Sequence, residues 1–486
     1  MASLFSRTRA AALLLALSIF AGNVHAAAEN TAPARVLTQE TAEKLVPAKE
    51  LLDKNDFPAL LTLIEKILAE QPPEAAASFD RALLSQLHGQ ILLNLNPPRY
   101  VEAIAPFETA LALGERHAYL DNTAILTLFQ TLSQLHYQNN DFPRALAHIE
   151  TYIARAPKPS ADIHLYAATL LYSLAEKHTA NTTKKSPAAS QPLFLRARAA
   201  ARESLLLRTR ADTPSLLLSL ATHQQLGELI PSARLLETLL ERDPKNATYH
   251  QQLFAIYTAL AAAPETHPSE TRRFQLRALV ALERAAAAGV KPSTSDTQNR
   301  VALLITLKQY RAAAELLERS LANGTLTGTR RDYELLSATW QQQRNLPRAV
   351  VALKTALKHA EQKQPANTAV HVGKLATADI PNLHFALARL YYAEEHAADA
   401  YTHLQRATTT ATLSHLEKPA QAWFLLTYIA YELRHFKEAR QYAAEAAKYP
   451  EIKQDDLQKL TAAIDAALKT EPQQTSPTSP SASLSL

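Results

Sequence analysis

The sequence predicts an all-α chain built as a solenoid of about ten helix-turn-helix repeats, and three observations carry that reading. Only 8 of the 486 residues are glycine, against a usual share of about 7%, so glycine-dependent hairpins and phosphate-cradling loops have little material. A bulky residue followed three positions later by alanine recurs along the chain. Three late segments repeat one spacing of large and small residues without a slip. With 47% hydrophobic and 20% charged residues, the chain is neither disordered nor embedded throughout in a membrane. Its length corresponds to about three ordinary domains or one long repeat array.

The first element is a leader. Arg7 and Arg9 precede an apolar run from Ala10 to Ala21 and the small-residue stretch Val24-His25-Ala26-Ala27-Ala28. That is the layout of a secretory signal peptide cleaved after about Ala26 or Ala28. The run is well short of the ~20 residues a spanning helix needs, and no later segment is apolar enough to span. The sequence therefore predicts a signal peptide at 1–28, a linker at 29–40, a solenoid with a capping helix at 41–469 and a Ser/Thr/Pro-rich disordered tail at 470–486. Cysteine is absent, which removes disulfides, thiolate metal sites and lipidation at the cleavage point. The expected location is the bacterial periplasm.

The repeats follow in order. The bulky/alanine pair appears as Tyr100/Ala103, Phe142/Ala145, Ile230/Ala233, Tyr310/Ala313, Leu346/Ala349 and Phe436/Ala439, with a degenerate first copy at Phe57/Leu60. Pro58, Pro143, Pro231 and Pro347 follow the bulky residue directly. Proline suits the first turn of a helix, where its missing N–H has no partner to lose, so each marks the start of a second helix. In the C-terminal half Tyr333, Leu336, Ser337, Trp340, Ala349, Leu353 and Ala356 are separated by 3, 1, 3, 9, 4 and 3 positions. His384, Leu387, Ala388, Tyr391, Ala400, Leu404 and Ala407 keep the same separations, as do Trp423, Leu426, Thr427, Ala430, Ala439, Ala443 and Ala446.

This pattern resembles the tetratricopeptide repeat (TPR), a helix-turn-helix unit of about 34 residues in which small residues let two helices approach and large ones plug the gap. The resemblance implies a right-handed α-solenoid of about ten TPR-like repeats. They fall at 41–72, 84–114, 126–157, 162–209, 213–243, 247–290, 297–324, 330–360, 381–411 and 420–450, with a capping helix from Gln454 to Lys469. Gly114, Gly289 and Gly324 are read as left-handed caps of second helices. Ser-, Thr-, Pro- and Lys-rich insertions at 178–191, 261–271 and 362–380 are read as exposed loops. The segment Ala48-Lys49-Glu50-Leu51-Leu52 with Asp56-Phe57, and residues 310–360, also resemble periplasmic TPR proteins encoded beside TonB-ExbB-ExbD systems. That resemblance implies a partner among TonB-ExbB-ExbD components.

Catalytic chemistry is not signalled. The only Gly-Lys pair, Gly373-Lys374, is followed by Leu375, which is no nucleotide loop. None of the 17 histidines forms a His-Glu-x2-His motif, and His384/His396/His403 and His164/His178 lack the i, i+4 spacing that sets two ligands on one helix face. His384 itself falls on a repeat packing position. The net charge of +5 is too weak to indicate nucleic acid, and arginines such as Arg196, Arg198, Arg202, Arg208 and Arg210 read as solvated helix surface. No cofactor, metal or catalytic residue is implied, and the expectation is a protein that is not an enzyme.

In a stacked array the first helices line a concave face. The phase of the three regular copies sends Arg331, Glu334 and Gln341, then Asn382, Phe385, Arg389 and Tyr392, then Phe424, Tyr428 and Tyr431 into that groove. The alternative is that these rings pack against neighbouring helices. Aromatic and arginine side chains dominate binding hot spots, so the expected role is a non-catalytic scaffold holding a protein or peptide. A second expectation is an envelope assembly factor for polysaccharide or outer-membrane export. A third is the non-catalytic subunit of an enzyme.

Overall fold

The computed structural model describes residues 35–181, 187–362, 379–409 and 413–470. The expected signal peptide, the first half of the linker, most of the 362–380 insertion and the tail beyond Thr470 lie outside the described residues. Helices account for nearly all regular structure, and no strand occurs among the described residues. The chain divides into two compact units, Met1–Asp243 and Pro244–Leu486, with the boundary falling between two helical hairpins.

The first unit contains α1 (Gln39–Lys44), α2 (Val46–Asp53), α3 (Phe57–Glu70), α4 (Phe79–Asn94), α5 (Ile104–His117), α6 (Asn122–Gln138), α7 (Phe142–Arg155), α8 (Ala161–Asn181), α9 (Pro187–Leu206), α10 (Thr213–Gln225) and α11 (Leu229–Arg242). Pairs α2/α3, α4/α5, α6/α7, α8/α9 and α10/α11 form hairpins, and α3, α5, α7 and α9 pack on α4, α6, α8 and α10 in turn. Pro58 and Pro143 stand at the second position of α3 and α7, after the capping carboxylates of Asp56 and Asp141. Ile64, Leu84, Leu128, Leu132 and Leu236 are fully buried, and each contributes about 1.5–3 kcal/mol by leaving water.

The second unit contains α12 (Ala247–Ala262), α13 (Pro268–Ala287), α14 (Thr294–Thr306), α15 (Tyr310–Ala322), α16 (Arg330–Gln342), α17 (Leu346–Gln362), α18 (Ile380–Ala393), α19 (Ala397–Ala407), α20 (Pro419–Glu432), α21 (Phe436–Ala446) and α22 (Gln454–Thr470). Its hairpins are α12/α13, α14/α15, α16/α17, α18/α19 and α20/α21, and α22 lies against α21 and α20. Ala349, Ala400 and Ala439 have no exposed surface, and neither do Leu404, Leu426 and Ala446. The four alanines bring the paired helices together, and the leucines fill the space between them. Ser337 uses the closeness to donate its Oγ–H to the carbonyl of Ala349 at 2.8 Å. Ser133 does the same to Ala145 at 2.6 Å in the first unit.

Three expectations are corrected. Gly114 is not a helix cap, because α5 continues to His117 and the left-handed residue is Ala118, at φ +52°. Gly114 serves instead as a contact point, where a Cβ would come within 2.7 Å of Leu120 Cδ1. Gly289 and Gly324 do adopt left-handed backbone, at φ +88° and +75°. The insertions at 178–191 and 261–271 are not simple loops. Helices α8 and α9 extend into the first from both sides, and only 263–267 separates α12 from α13.

Seven hairpins close by one turn that the sequence reading did not anticipate. Asn55, Asn140, Gly227, Lys308, Arg344, Glu395 and Arg434 all take left-handed backbone, with φ between +55° and +70°. In each, the left-handed residue and the one after it donate their N–H groups back into the last turn of the first helix. Arg344 donates to Gln341 at 2.9 Å and Asn345 to Trp340 at 2.9 Å, and Glu395 donates to Tyr392 at 3.0 Å and His396 to Tyr391 at 2.9 Å. This double closure satisfies carbonyls that a helix end leaves open. Only Gly227 carries no Cβ there, and a β-carbon in this conformation costs about 1–2 kcal/mol. Lys308→Gly, Arg344→Gly and Arg434→Gly are therefore each expected to stabilise the second unit by roughly 0.5–1 kcal/mol, the backbone entropy of glycine offsetting part of the gain. Urea midpoints measure this. A fall in midpoint for all three would overturn it.

Candidate functional site

The site expected from sequence lies on α16, α18 and α20 of the second unit. α16 starts from a reciprocal cap in which Thr329 and Asp332 satisfy each other's backbone N–H groups. That start fixes Arg331, which is exposed, and Glu334, which is half-buried. Arg330 holds Glu334 at 3.5 Å and Asp379 at 2.5 Å, tying α16 to the residue that precedes α18. Burial raises the Glu334 carboxyl above the ordinary carboxylate range, with Arg330 pulling the other way and Asp379 adding to the rise. Gln341 is exposed and donates from Nε2 to Ser337 Oγ at 3.3 Å.

On α18 the residues part company. Phe385 is only 7% exposed and belongs to the core, so it is corrected from a groove contact to a packing residue. Arg389 stands exposed with its guanidinium 6.0 Å from the Phe385 ring centre. Tyr392 is half-buried and donates its hydroxyl to Glu432 Oε1 at 3.2 Å. Burial pushes that phenol up to about 12, with the Glu432 carboxylate adding to the rise, so the hydroxyl remains a donor at neutral pH. Asn382 is also corrected. Its amide donates to the carbonyl of His415 at 3.1 Å and accepts from Glu417 N–H at 2.9 Å, which pins the loop before α20.

On α20, Tyr428 is the most exposed of the rings named, at 40%. It meets Tyr392 edge to face, with ring centres 6.2 Å apart and planes at 84°. Tyr431 turns toward Phe436 at 5.8 Å. Phe424 is half-buried and borders a cavity of about 530 Å³ between the starts of α20 and α22, lined also by Lys418, Gln421, Ile452, Lys453 and Asp456. The structure thus unites Tyr392 and Tyr428 with Glu432 across two helices, with Arg389 one turn before Tyr392. Arg331, Glu334 and Gln341 form a separate polar run on α16.

Two features escaped the sequence reading. Glu432 completes the tyrosine pair from the last position of α20. His384 and His403 face each other between α18 and α19, Nδ1 to Nδ1 at 2.8 Å. Such a bond needs one ring nitrogen to donate and the other to accept, so at least one imidazole is neutral. The Tyr391 ring stacks on His403 at 5.5 Å, and the Lys354 ammonium lies 5.1 Å from the Tyr391 ring centre. Burial lowers His384 to about 4, with His403 and Arg406 adding to the effect, and burial lowers His403 as well. Among the described residues no group of three His, Asp or Glu side chains is placed to hold a metal ion. No described helix is long and apolar enough to cross a membrane.

No family model matches this chain, and no curated protein matches it. Several solved structures are similar to it in part. A tetratricopeptide repeat protein from Parabacteroides merdae is 15% identical over 62% of this chain and 99% of its own, with a TM-score of 0.31. YrrB, described as a TPR protein with an unusual peptide-binding site, is 13% identical over 43% of this chain and 91% of its own, at a TM-score of 0.27. The Cut9-Hcn1 hetero-tetramer of the APC/C supplies a chain 13% identical over 88% of this one and 96% of its own, at a TM-score of 0.27. No functional residue is transferred from any of them.

Proposed function

We propose that this protein is a non-catalytic scaffold that holds a peptide or protein segment against the surface formed by Arg389, Tyr392 and Tyr428. The observation that carries the reading is the Tyr392–Tyr428 pair, a half-buried ring braced by a hydrogen bond to Glu432 and set edge to face against an exposed one. A ring already held in place loses little freedom when a partner covers it. It offers apolar area and a polar handle together, and a neighbouring arginine adds a charged anchor.

The finer proposal is an exported protein of the bacterial periplasm, in contact with TonB-ExbB-ExbD components. It is supported by the leader-like arrangement of Arg7, Arg9 and the apolar run to Ala21, and by the resemblance of residues 310–360. Capture of the tagged protein from its native envelope tests both levels. Tyr392→Ala with Tyr428→Ala is expected to reduce the captured partner at least tenfold, the loss that about 1.4 kcal/mol produces, with helicity unchanged. An unchanged set of captured chains would sink the surface assignment. Recovery of polysaccharide or export machinery in place of TonB-ExbB-ExbD components would discard the finer proposal and favour the envelope-assembly reading. Terminal sequencing of the purified protein checks export, with a new N-terminus expected near Ala27 or Glu29.

A further inference from the structure

The outward face of α13 carries a pattern found on none of the surfaces discussed above. Phe274, Ala278, Leu279, Ala281, Leu282 and Ala285 are buried. Opposite them, at about 100° per residue, Arg272, Leu276, Val280, Arg273, Arg284 and Arg277 occupy an arc of about 140°. Leu276 is 39% exposed and Val280 47% exposed. They form the middle of the arc, with Arg272 on one side and Arg273, Arg284 and Arg277 on the other.

The arginines of this face differ from the paired arginines of the first unit. In the first unit Arg196 pairs with Glu150, Arg198 with Glu228, and Arg208 with Asp162. Among the described residues, Arg272, Arg273, Arg277 and Arg284 have no carboxylate in ion-pair range, although the guanidiniums of Arg273 and Arg277 lie near the rings of Phe274 and Tyr257. Glu283, on the same face, is engaged by Arg300 at 3.8 Å, and Glu270 lies at the edge of the arc. The face is therefore cationic around an apolar centre.

We propose that this face of α13 docks the protein on an anionic lipid surface. Guanidiniums match phosphate oxygens in pairs, and the negative potential of such a surface attracts basic side chains lying within a Debye length of it. An apolar stripe flanked by cations is the arrangement of a helix lying in the interfacial plane. From Arg272 to Ala287 it runs about 22 Å at 1.5 Å per residue, a length over which a row of headgroups answers both flanks together. A soluble acidic segment would complement the arginines alone and leave Leu276 and Val280 in water. The proposal does not depend on the Tyr392–Tyr428 surface.

The test is sedimentation of the full chain with vesicles of phosphatidylcholine alone, or carrying about 30% phosphatidylglycerol. Two variants are compared with the parent in each, Arg272→Gln with Arg284→Gln, and Leu276→Ser with Val280→Ser. Any contribution from the N-terminal apolar run is common to all three. Binding to the anionic vesicles is expected to fall at least fivefold in each variant, and in the parent as salt rises from about 50 to 200 mM. Far-UV helicity confirms that the variants fold. Equal binding by parent and variants, or equal binding to both vesicle types, would overturn the proposal. So would binding to soluble polyglutamate with none to vesicles.

Discussion

Replacing Trp340 with alanine is expected to lower the unfolding free energy of the second unit by about 3–5 kcal/mol. The indole is 3% exposed, donates from Nε1 to Glu318 at 2.9 Å and is covered by the Arg348 guanidinium, 4.7 Å from its ring centre. Its removal opens a cavity, strips Glu318 of a donor and leaves Arg348 without its platform. The chain has 2 tryptophans, Trp340 and Trp423, and both lie in the second unit. The fluorescence of Trp423 in a urea titration therefore follows this unit alone, while far-UV circular dichroism follows the whole chain. Trp340→Phe keeps most of the volume and is expected to lose less than half as much. A loss of under about 1 kcal/mol in the alanine variant would mean that the site collapses around the missing ring, against the interlocking described here.

The second large effect is a loss of stability in mild acid. His384 is held at about 4 in the folded chain, against an ordinary value near 6.5, and His403 is lowered too. A group whose folded value lies below its unfolded one binds its proton more readily when unfolded. The pair therefore costs nothing above pH ~6.5, and stability falls progressively as pH drops from there toward ~4. Below that the contribution of His384 levels off. The loss at the low end is about 2 kcal/mol once screening by nearby solvent is allowed for. Arg406 and Lys354 add to the resistance to protonation, and Asp399 opposes it. His384→Phe with His403→Leu is expected to flatten the dependence between pH ~6.5 and ~4, read from the fluorescence of Trp340 and Trp423 together in urea at stepped pH. A slope in that variant equal to the parent's would assign the effect to other groups.

How much of this was legible beforehand depends on what a spacing encodes. The separations that run from Leu336 to Ala356 fix which side chains meet inside a hairpin, and Leu336, Ser337, Trp340, Ala349, Leu353 and Ala356 are all buried. The same spacing places Phe385 and Tyr428 on the open side of their helices, yet one is 7% exposed and the other 40%. Sequence gives the angle of a side chain around its own helix. It does not give the small rotation of that helix against its neighbours, which decides whether a borderline ring faces inward or outward. Asn382 failed for another reason, since its partners belong to a loop of irregular backbone with no periodic signature. His384 and His403 lie 19 positions apart on opposite helices, so only the packing brings them together. The α13 arginines were visible as residues, but only the positions of surrounding carboxylates distinguish them from the paired Arg196, Arg198 and Arg208.

The left-handed turn that closes seven hairpins has a consequence for how such a chain diversifies. Its hydrogen bonds join backbone to backbone, so the side chain at the left-handed position takes no part in holding the bend. Asparagine, glycine, lysine, arginine and glutamate all occupy it. Charge at these corners is thereby uncoupled from architecture, and it is free to be rewritten from one hairpin to the next without redrawing the path of the chain.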